Sequence, residues 1–192
     1  MCDFNGTCSK FIGFIKVDCG NPNCETSRKY INREPGYFEK LLSHLARPRK
    51  NGNTFSVGLI GASNNGGIMA GKSGVLSVDT SHNYAFQGTT TMGAAPGIGG
   101  SGGLIFTYTN ATDVQDLAGA SKSYGFTLVA TAGVSIDYIT FTPASNPNAK
   151  CWGVSVAILA GGEAEVHGAE NYTTSTKSWN PLIALRKRLY GG

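Results

Sequence analysis

Val134-Ser135-Ile136-Asp137-Tyr138-Ile139-Thr140-Phe141 sets Val, Ile and Tyr on one parity and Ser, Asp and Ile on the other. Period-two alternation marks a strand whose two faces differ. The pattern recurs in Phe55-Ser56-Val57-Gly58-Leu59-Ile60-Gly61, Leu104-Ile105-Phe106-Thr107-Tyr108-Thr109, Phe126-Thr127-Leu128-Val129-Ala130-Thr131 and Trp152-Gly153-Val154-Ser155-Val156-Ala157-Ile158-Leu159. Between Thr54 and Thr176 there is no arginine and little other charge. Turn signals at Ser63 to Gly67, Ser81-His82-Asn83, Gly93 to Gly103, Asn110 to Gly119, Ala132-Gly133, Pro143 to Asn148 and Gly161-Gly162 divide this block into about eight strands. The block is therefore expected to be an all-β antiparallel body. A closed β-barrel is favoured over a sandwich, because small residues at alternate positions let strands curve and closure removes unpaired edges.

The chain of 192 residues is long enough for one sizeable core. Its 27 glycines are balanced by enough Phe, Tyr, Ile, Leu and Val to exclude a low-complexity disordered chain. No run reaches the roughly 18–20 apolar residues of a membrane-spanning helix, and the first residues do not form a basic then apolar leader. The net charge of +4 is unevenly spread: nine Lys or Arg against five Asp or Glu up to Asn53, four against seven from Thr54 to Ser178, and three against none beyond. Basic ends thus flank a mildly acidic body.

Three regions follow. Residues 1–53 form an extension holding Cys2, Cys8, Cys19 and Cys24, whose spacing leaves disulfides, a zinc site and free thiols all open. Within it, Phe38, Leu41, Leu42 and Leu45 have the spacing of an amphipathic helix, with His44 off the apolar stripe. Residues 54–177 form the glycine-rich barrel. Residues 178–192 form a basic amphipathic tail in which Trp179, Leu182, Ile183, Leu185 and Leu189 surround Arg186-Lys187-Arg188, as a short helix would arrange them.

Three stretches carry a family likeness. Leu76 to Ala85 resembles a strand, Asp, turn, strand unit; Tyr108-Thr109-Asn110-Ala111-Thr112-Asp113-Val114-Gln115-Asp116-Leu117-Ala118-Gly119 resembles a T-N-A-x-x-(V/I)-x-D-L-x-G motif; Val154 to Gly168 resembles a final strand pair. Together they make residues 54–176 similar to the glycine-rich domain at the C-termini of bacterial Rhs-repeat and polymorphic-toxin or cell-surface proteins. The resemblance implies a secreted or surface-delivered location as part of a larger exported protein, and supplies no catalytic residues.

Among candidate chemistries, Cys151 and His167 stand out. A hairpin turning at Gly161-Gly162 would bring them nearly opposite, and a cysteine beside a histidine can ionise and attack a carbonyl. The arrangement is similar to that of cytotoxic-necrotising-factor-like deamidase toxins. Glu163, Glu165, Glu170 and Asp137 offer carboxylates for glycoside chemistry, although like charges beside a glycine turn are more simply solvated. Gly97 to Gly103 lacks the Lys-Ser/Thr and helix of a phosphate loop, and Asp113 with Asp116 read as a capped turn. No cofactor or metal is expected.

The favoured function is a non-catalytic module that binds a protein or glycan partner, or an anionic membrane surface, with no specific nucleic acid as ligand. Strands of seven or eight residues fall short of the 9–11 needed to cross a bilayer, which favours a soluble binder over a pore. A Cys151–His167 toxin enzyme of deamidase or acyl-transfer type is the alternative.

Overall fold

The computed structural model describes residues 52–190, strands β1 (Cys8–Ile12) and β2 (Ile15–Cys19), and the single residues Gly36, Lys40, Leu41 and His44. The chain forms two compact units, Pro48–Trp179 and a second made of Met1–Arg47 with Asn180–Gly192.

In the second unit, β1 and β2 pair antiparallel with Cys8 in register with Cys19. Cys2 and Cys24 lie outside the described residues. Lys40, Leu41 and His44 are helical, and the Lys40 N–H donates to the Gly36 carbonyl at 2.9 Å; the rest of the helix expected there lies outside the described residues. Helix α1 (Pro181–Tyr190) opens with Asn180, whose Oδ1 accepts from the Leu182 and Ile183 N–H groups at 3.0 and 3.2 Å. This is the N-cap role of a short amide side chain.

The main unit is a seven-stranded antiparallel sheet. Its strands are β3 (Thr54–Asn65), β4 (Ile68–Asp79), β5 (Tyr84–Ala94), β6 (Ile98–Thr109), β7 (Gly119–Val129), β8 (Ala132–Phe141) and β9 (Cys151–Ser175), in the order β5-β4-β3-β6-β9-β7-β8. The additional β5–β9 pairing closes a ring of five strands, β3-β4-β5-β9-β6, and β8 pairs with β9 as well as with β7.

The strands are longer than the sequence suggests, at 10 to 12 residues for β3 to β8 and 25 for β9. Residues that resemble turns are drawn into the ladders: Asn65 pairs with Ile98, and Gly100 with both Ser63 and Gly162. Pairing on both edges overrides the poor strand propensity of glycine and asparagine. The turns are correspondingly tight at one end of the sheet, where Gly66-Gly67, Ala95 to Gly97 and Ala130-Thr131 suffice. Longer connections, residues 80–83, 110–118 and 142–150, gather at the other.

Strand β9 exchanges partners halfway. Its first half pairs with β6 and β8, its second with β5 and β7. Because β7 and β8 are antiparallel to each other and each is antiparallel to its own half of β9, a straight β9 is impossible. The chain turns at Gly161, whose φ of +148° suits glycine, and where a Cβ would lie 2.2 Å from the Gly100 carbonyl oxygen. The turn falls where the hairpin was expected, but the halves of β9 pair with other strands and not with each other.

Alternation then sorts the side chains into two faces. One face lines a cavity of about 150 Å³ to which all seven strands contribute, and most of its members are Ser, Thr, Asn, Gln, Asp, Glu or His. Their polar groups are joined across strands: Ser56 with Ser77 at 2.6 Å, Ser77 to Gln87 at 2.7 Å, Thr89 with Thr173 at 2.9 Å, Thr91 to Asn171 at 2.7 Å, Asn171 to Ser123 at 3.1 Å and Thr127 to Ser135 at 2.9 Å. The apolar content of this face is small, chiefly Ile105, Val129, Ala157 and Leu159 in one cluster and Met69, Ala95 and Ala169 in another.

Candidate functional site

Three features of the main unit bear on function: a charged cluster in the cavity, a buried loop at its long-connection end, and the composition of the outer face.

The cluster grows from the parity of β9. Glu163, Glu165 and His167 follow one another on the cavity face and are 6%, 8% and 8% exposed. Residues that looked like a solvated pair are therefore buried, because the turn at Gly161 carries them inward. Asp137 reaches His167 across an intervening strand. Gly125 of β7 lies between them in register with both, and its missing side chain leaves the room; a Cβ there would come within 2.4 Å of Asp137 Oδ1. Asp137 Oδ1 and His167 Nε2 thus meet at 2.6 Å. On the other side of the ring, His167 Nδ1 lies 3.4 Å from Glu165 Oε1. The Asn64 amide donates to Glu163 Oε1 at 2.9 Å and closely to Glu165 Oε2, and Ser101 Oγ donates to Glu163 Oε2 at 2.7 Å.

These contacts fix the direction of titration. The hydrogen bond to Asp137 holds the His167 pKa above its usual value of 6.5, against the opposing effect of burial, with further support from the charges of Asp137, Glu165 and Glu163. Burial raises the Glu165 pKa above 4.5, partly offset by the Asn64 hydrogen bond and reinforced by Glu163.

Cys151 is elsewhere. It pairs with Phe141 at the start of β9, whereas His167 pairs with Gly125. The two line different cavities, Cys151 sharing its own with Trp152, Tyr138 and Tyr172. Burial, and secondarily the charge of Asp116, push the Cys151 thiol up, away from the reactive thiolate. Both ring nitrogens of His167 face carboxylates. Of the carboxylates singled out from sequence, the structure gathers Asp137, Glu163 and Glu165 and leaves Glu170 on the outer face, 3.6 Å from Lys122. Asp113 caps a 3-10 turn at Val114–Leu117 by accepting from the Gln115 N–H at 2.8 Å, and Asp116 accepts from the Ser145 N–H at 3.0 Å. Among the described residues no group of three or more His, Cys, Asp or Glu could hold a metal ion.

The 3-10 turn sits at the long-connection end of the cavity. Val114 is fully buried, its carbonyl accepts from Gln87 Nε2 at 2.7 Å, and Leu117 lines the cavity.

The outer face carries rows of large apolar side chains. In register across β3, β6, the first half of β9, β8 and β7 run Phe55, Tyr108, Val154, Tyr138 and Tyr124; then Val57, Phe106, Val156, Ile136 and Phe126; then Leu59, Leu104, Ile158, Val134 and Leu128. All but Phe106 rank among the exposed large hydrophobics. On the strands β3 to β9 this face carries charge only at Lys72, Lys122 and Glu170. The aromatic residues crowd the long-connection end, where Trp179 stacks on Tyr84 with ring centroids 5.9 Å apart and Trp152 meets Tyr108 at 6.2 Å. No helix among the described residues is long and apolar enough to cross a membrane, a criterion that does not bear on strands. No family model, no curated protein and no solved structure matches this chain.

Proposed function

We propose that the main unit is a closed β-barrel of eight strand segments, β9 supplying two of them, that embeds in a lipid bilayer and acts without catalysis. The observation that carries this reading is the three-row apolar lattice on the outer face, set against a polar, hydrogen-bonded interior. In water such a surface has no partner; in hydrocarbon it is the required one, because a membrane barrel alternates apolar-out with polar-in.

Further points support it. The pairings can be followed as β3-β4-β5-β9-β7-β8-β9-β6 and back to β3, which leaves no strand edge, and only closed sheets satisfy their backbone in lipid. Strands of 12 residues tilted by about 40° span about 30 Å, the thickness of the hydrocarbon core. Aromatic side chains at the long-connection end match the level of the headgroups. Lys122 and Glu170 pair at that same end, and Lys72 lies four residues from the opposite turn, within reach of the interface for a snorkelling side chain. The expectation of a soluble binder rested on short strands, and their observed length removes that objection. The basic helix α1, which begins two residues after Trp179 in the chain, suits an anionic headgroup layer.

Depth-dependent fluorescence quenching tests the proposal. Trp152 and Trp179 are replaced by Phe and a single probe is introduced as Val156→Trp, in vesicles whose lipids carry bromine either deep in the acyl chain or near the headgroup. Deep bromine should quench the probe at 156 more strongly, and in a second protein carrying only Trp179→Phe shallow bromine should quench Trp152 more strongly. Failure to float with vesicles, or quenching that ignores depth, overturns it.

A further inference from the structure

A second hollow lies toward the long-connection end of the outer face, and its shape follows from residue size. Met92, Glu170, Lys122, Thr140 and Trp152 stand in register across β5, the second half of β9, β7, β8 and the first half of β9. Tyr172 and Ala120, paired with each other, lie one step nearer the strand ends. Ala120, Thr140 and Thr142 are small and make a low floor over β7 and β8. Tyr172 with Glu170 borders it on one side, and Trp152 with Lys150 on the other. The result is a groove of about 900 Å³, within the range of about 300–1,000 Å³ common to small-ligand sites.

Charge narrows what the groove can hold. Lys122 and Glu170 pair at 3.6 Å and offset each other, whereas Lys150 has no ion pair among the described residues. One positive charge is left over, beside the hydroxyl groups of Thr140 and Thr142, which can donate to an anion. The walls narrow it further. Trp152, Tyr138 and Tyr172 supply aromatic surface, and Tyr138 also belongs to the first row of the apolar lattice, in register with Val154. The groove thus meets charge at one end and the apolar rows at the other. A soluble phosphate ester satisfies only the charged end. A phospholipid satisfies both, with its phosphodiester at the lysine and its acyl chains along the rows, and a phosphodiester carries the single negative charge that the remainder requires.

We propose that this groove binds one anionic phospholipid, its phosphodiester held by Lys150 with Thr140 and Thr142 and its glycerol flanked by Trp152 and Tyr138. The lipid carries no ammonium in its headgroup, because a choline or ethanolamine group would restore the uncompensated positive charge. The proposal deepens the membrane reading of the outer face and rests on it.

The test uses the full chain with Trp179→Phe, which keeps Trp152 in the wall of the groove as reporter. It is placed in phosphatidylcholine vesicles that contain a minor fraction of lipid brominated at the glycerol end of its acyl chains, either phosphatidylglycerol or phosphatidylcholine. One unpaired lysine at the lipid surface corresponds to a preference of about fivefold, so phosphatidylglycerol should half-quench Trp152 at about one-fifth of the mole fraction that phosphatidylcholine needs. Lys150→Gln should remove the preference. Lys177→Gln, which takes the same charge from an exposed residue outside the groove, should keep it and so separates the site from a general pull of positive charge. Glu170→Gln frees Lys122 and should strengthen it. Equal half-quenching by the two lipids in a protein that floats with vesicles, or the same loss in Lys177→Gln as in Lys150→Gln, overturns the proposal and leaves the membrane reading standing. Relief of the quenching by glycerol phosphate added to the buffer would assign the groove to a soluble phosphate and overturn it as well. Failure to float removes both.

Discussion

Val156→Arg places a guanidinium in the middle of the apolar lattice. Val156 is 39% exposed, sits in register with Phe106 on β6 and Ile136 on β8, and lies in the central row. If that row faces acyl chains, arginine near the bilayer midplane costs about 2–4 kcal/mol. That corresponds to a roughly 30- to 900-fold loss in the folding equilibrium within vesicles. If the row faces water, a change at an exposed position is worth about 0.5 kcal/mol or less, and removing one apolar group should improve solubility. Thr140→Arg provides the depth control, since Thr140 follows Tyr138 on the same face of β8 toward the long connections, where the cost falls to about 0–1 kcal/mol. Urea titration in phospholipid vesicles, followed by tryptophan emission, measures both. Equal effects of the two variants, or a Val156→Arg protein that folds in vesicles as well as the parent, would refute the assignment of this face to lipid.

Other consequences follow from the cavity. Glu165 and His167 both have raised pKa values, so the folded state retains protons that the unfolded chain releases and stability falls as pH rises. The decline should begin above the unfolded Glu165 value near 4.5 and gain a second limb above the unfolded His167 value near 6.5; Glu165→Gln should flatten the first and His167→Gln the second in a Tm–pH profile. Gly125→Ala would push a methyl group against Asp137 Oδ1 and the Ile136 carbonyl oxygen, each 2.4 Å from the added carbon. It should cost about 1–3 kcal/mol, read as a lowered midpoint in urea. Replacing Val114 and Leu117 by serine should loosen the long-connection end of the cavity and raise potassium efflux from loaded vesicles, whereas the parent protein should leak little. Cys151→Ser should leave vesicle binding unchanged, and Cys151 itself should react with thiol reagents more slowly than a free cysteine at neutral pH, as its raised pKa requires.

The cluster was half visible in the sequence. Glu163 and Glu165 share a parity, but linear order offers no means of joining them to Asp137 and His167. A hairpin at Gly161-Gly162, the simplest local solution, sets His167 beside Cys151. The actual arrangement depends on β7 and β8 lying between the halves of β9, a non-local fact. One signal was available: Gly125 interrupts the small polar parity of Ser121, Ser123 and Thr127, and a glycine inside a strand marks close approach by something else. Asn64, placed in a turn by its neighbours Asn65 and Gly66, was hidden for the opposite reason, since strand pairing carried it inside.

The fold shows a deeper limit. Alternation reports that two faces differ and is silent about which one is enclosed. Val57, Val156 and Ile136 on one parity with Ser56, Ser155 and Ser135 on the other fit an apolar core with a hydroxyl surface as well as they fit the reverse. What selects between them is volume and pairing taken together. Serine, threonine and glycine are small enough for seven strands to enclose with one another, and their hydroxyls find partners at 2.5–2.9 Å across the strands, as Thr107 does with Ser155 and Thr127 with Ser135. Fifteen large side chains turned inward would overfill that space and leave the hydroxyls to water. The glycines and serines that look like weak points of the strands are therefore what lets the sheet close on its polar side. The same choice leaves the apolar rows outside, so the search for function moves from a pocket to the surface those rows define.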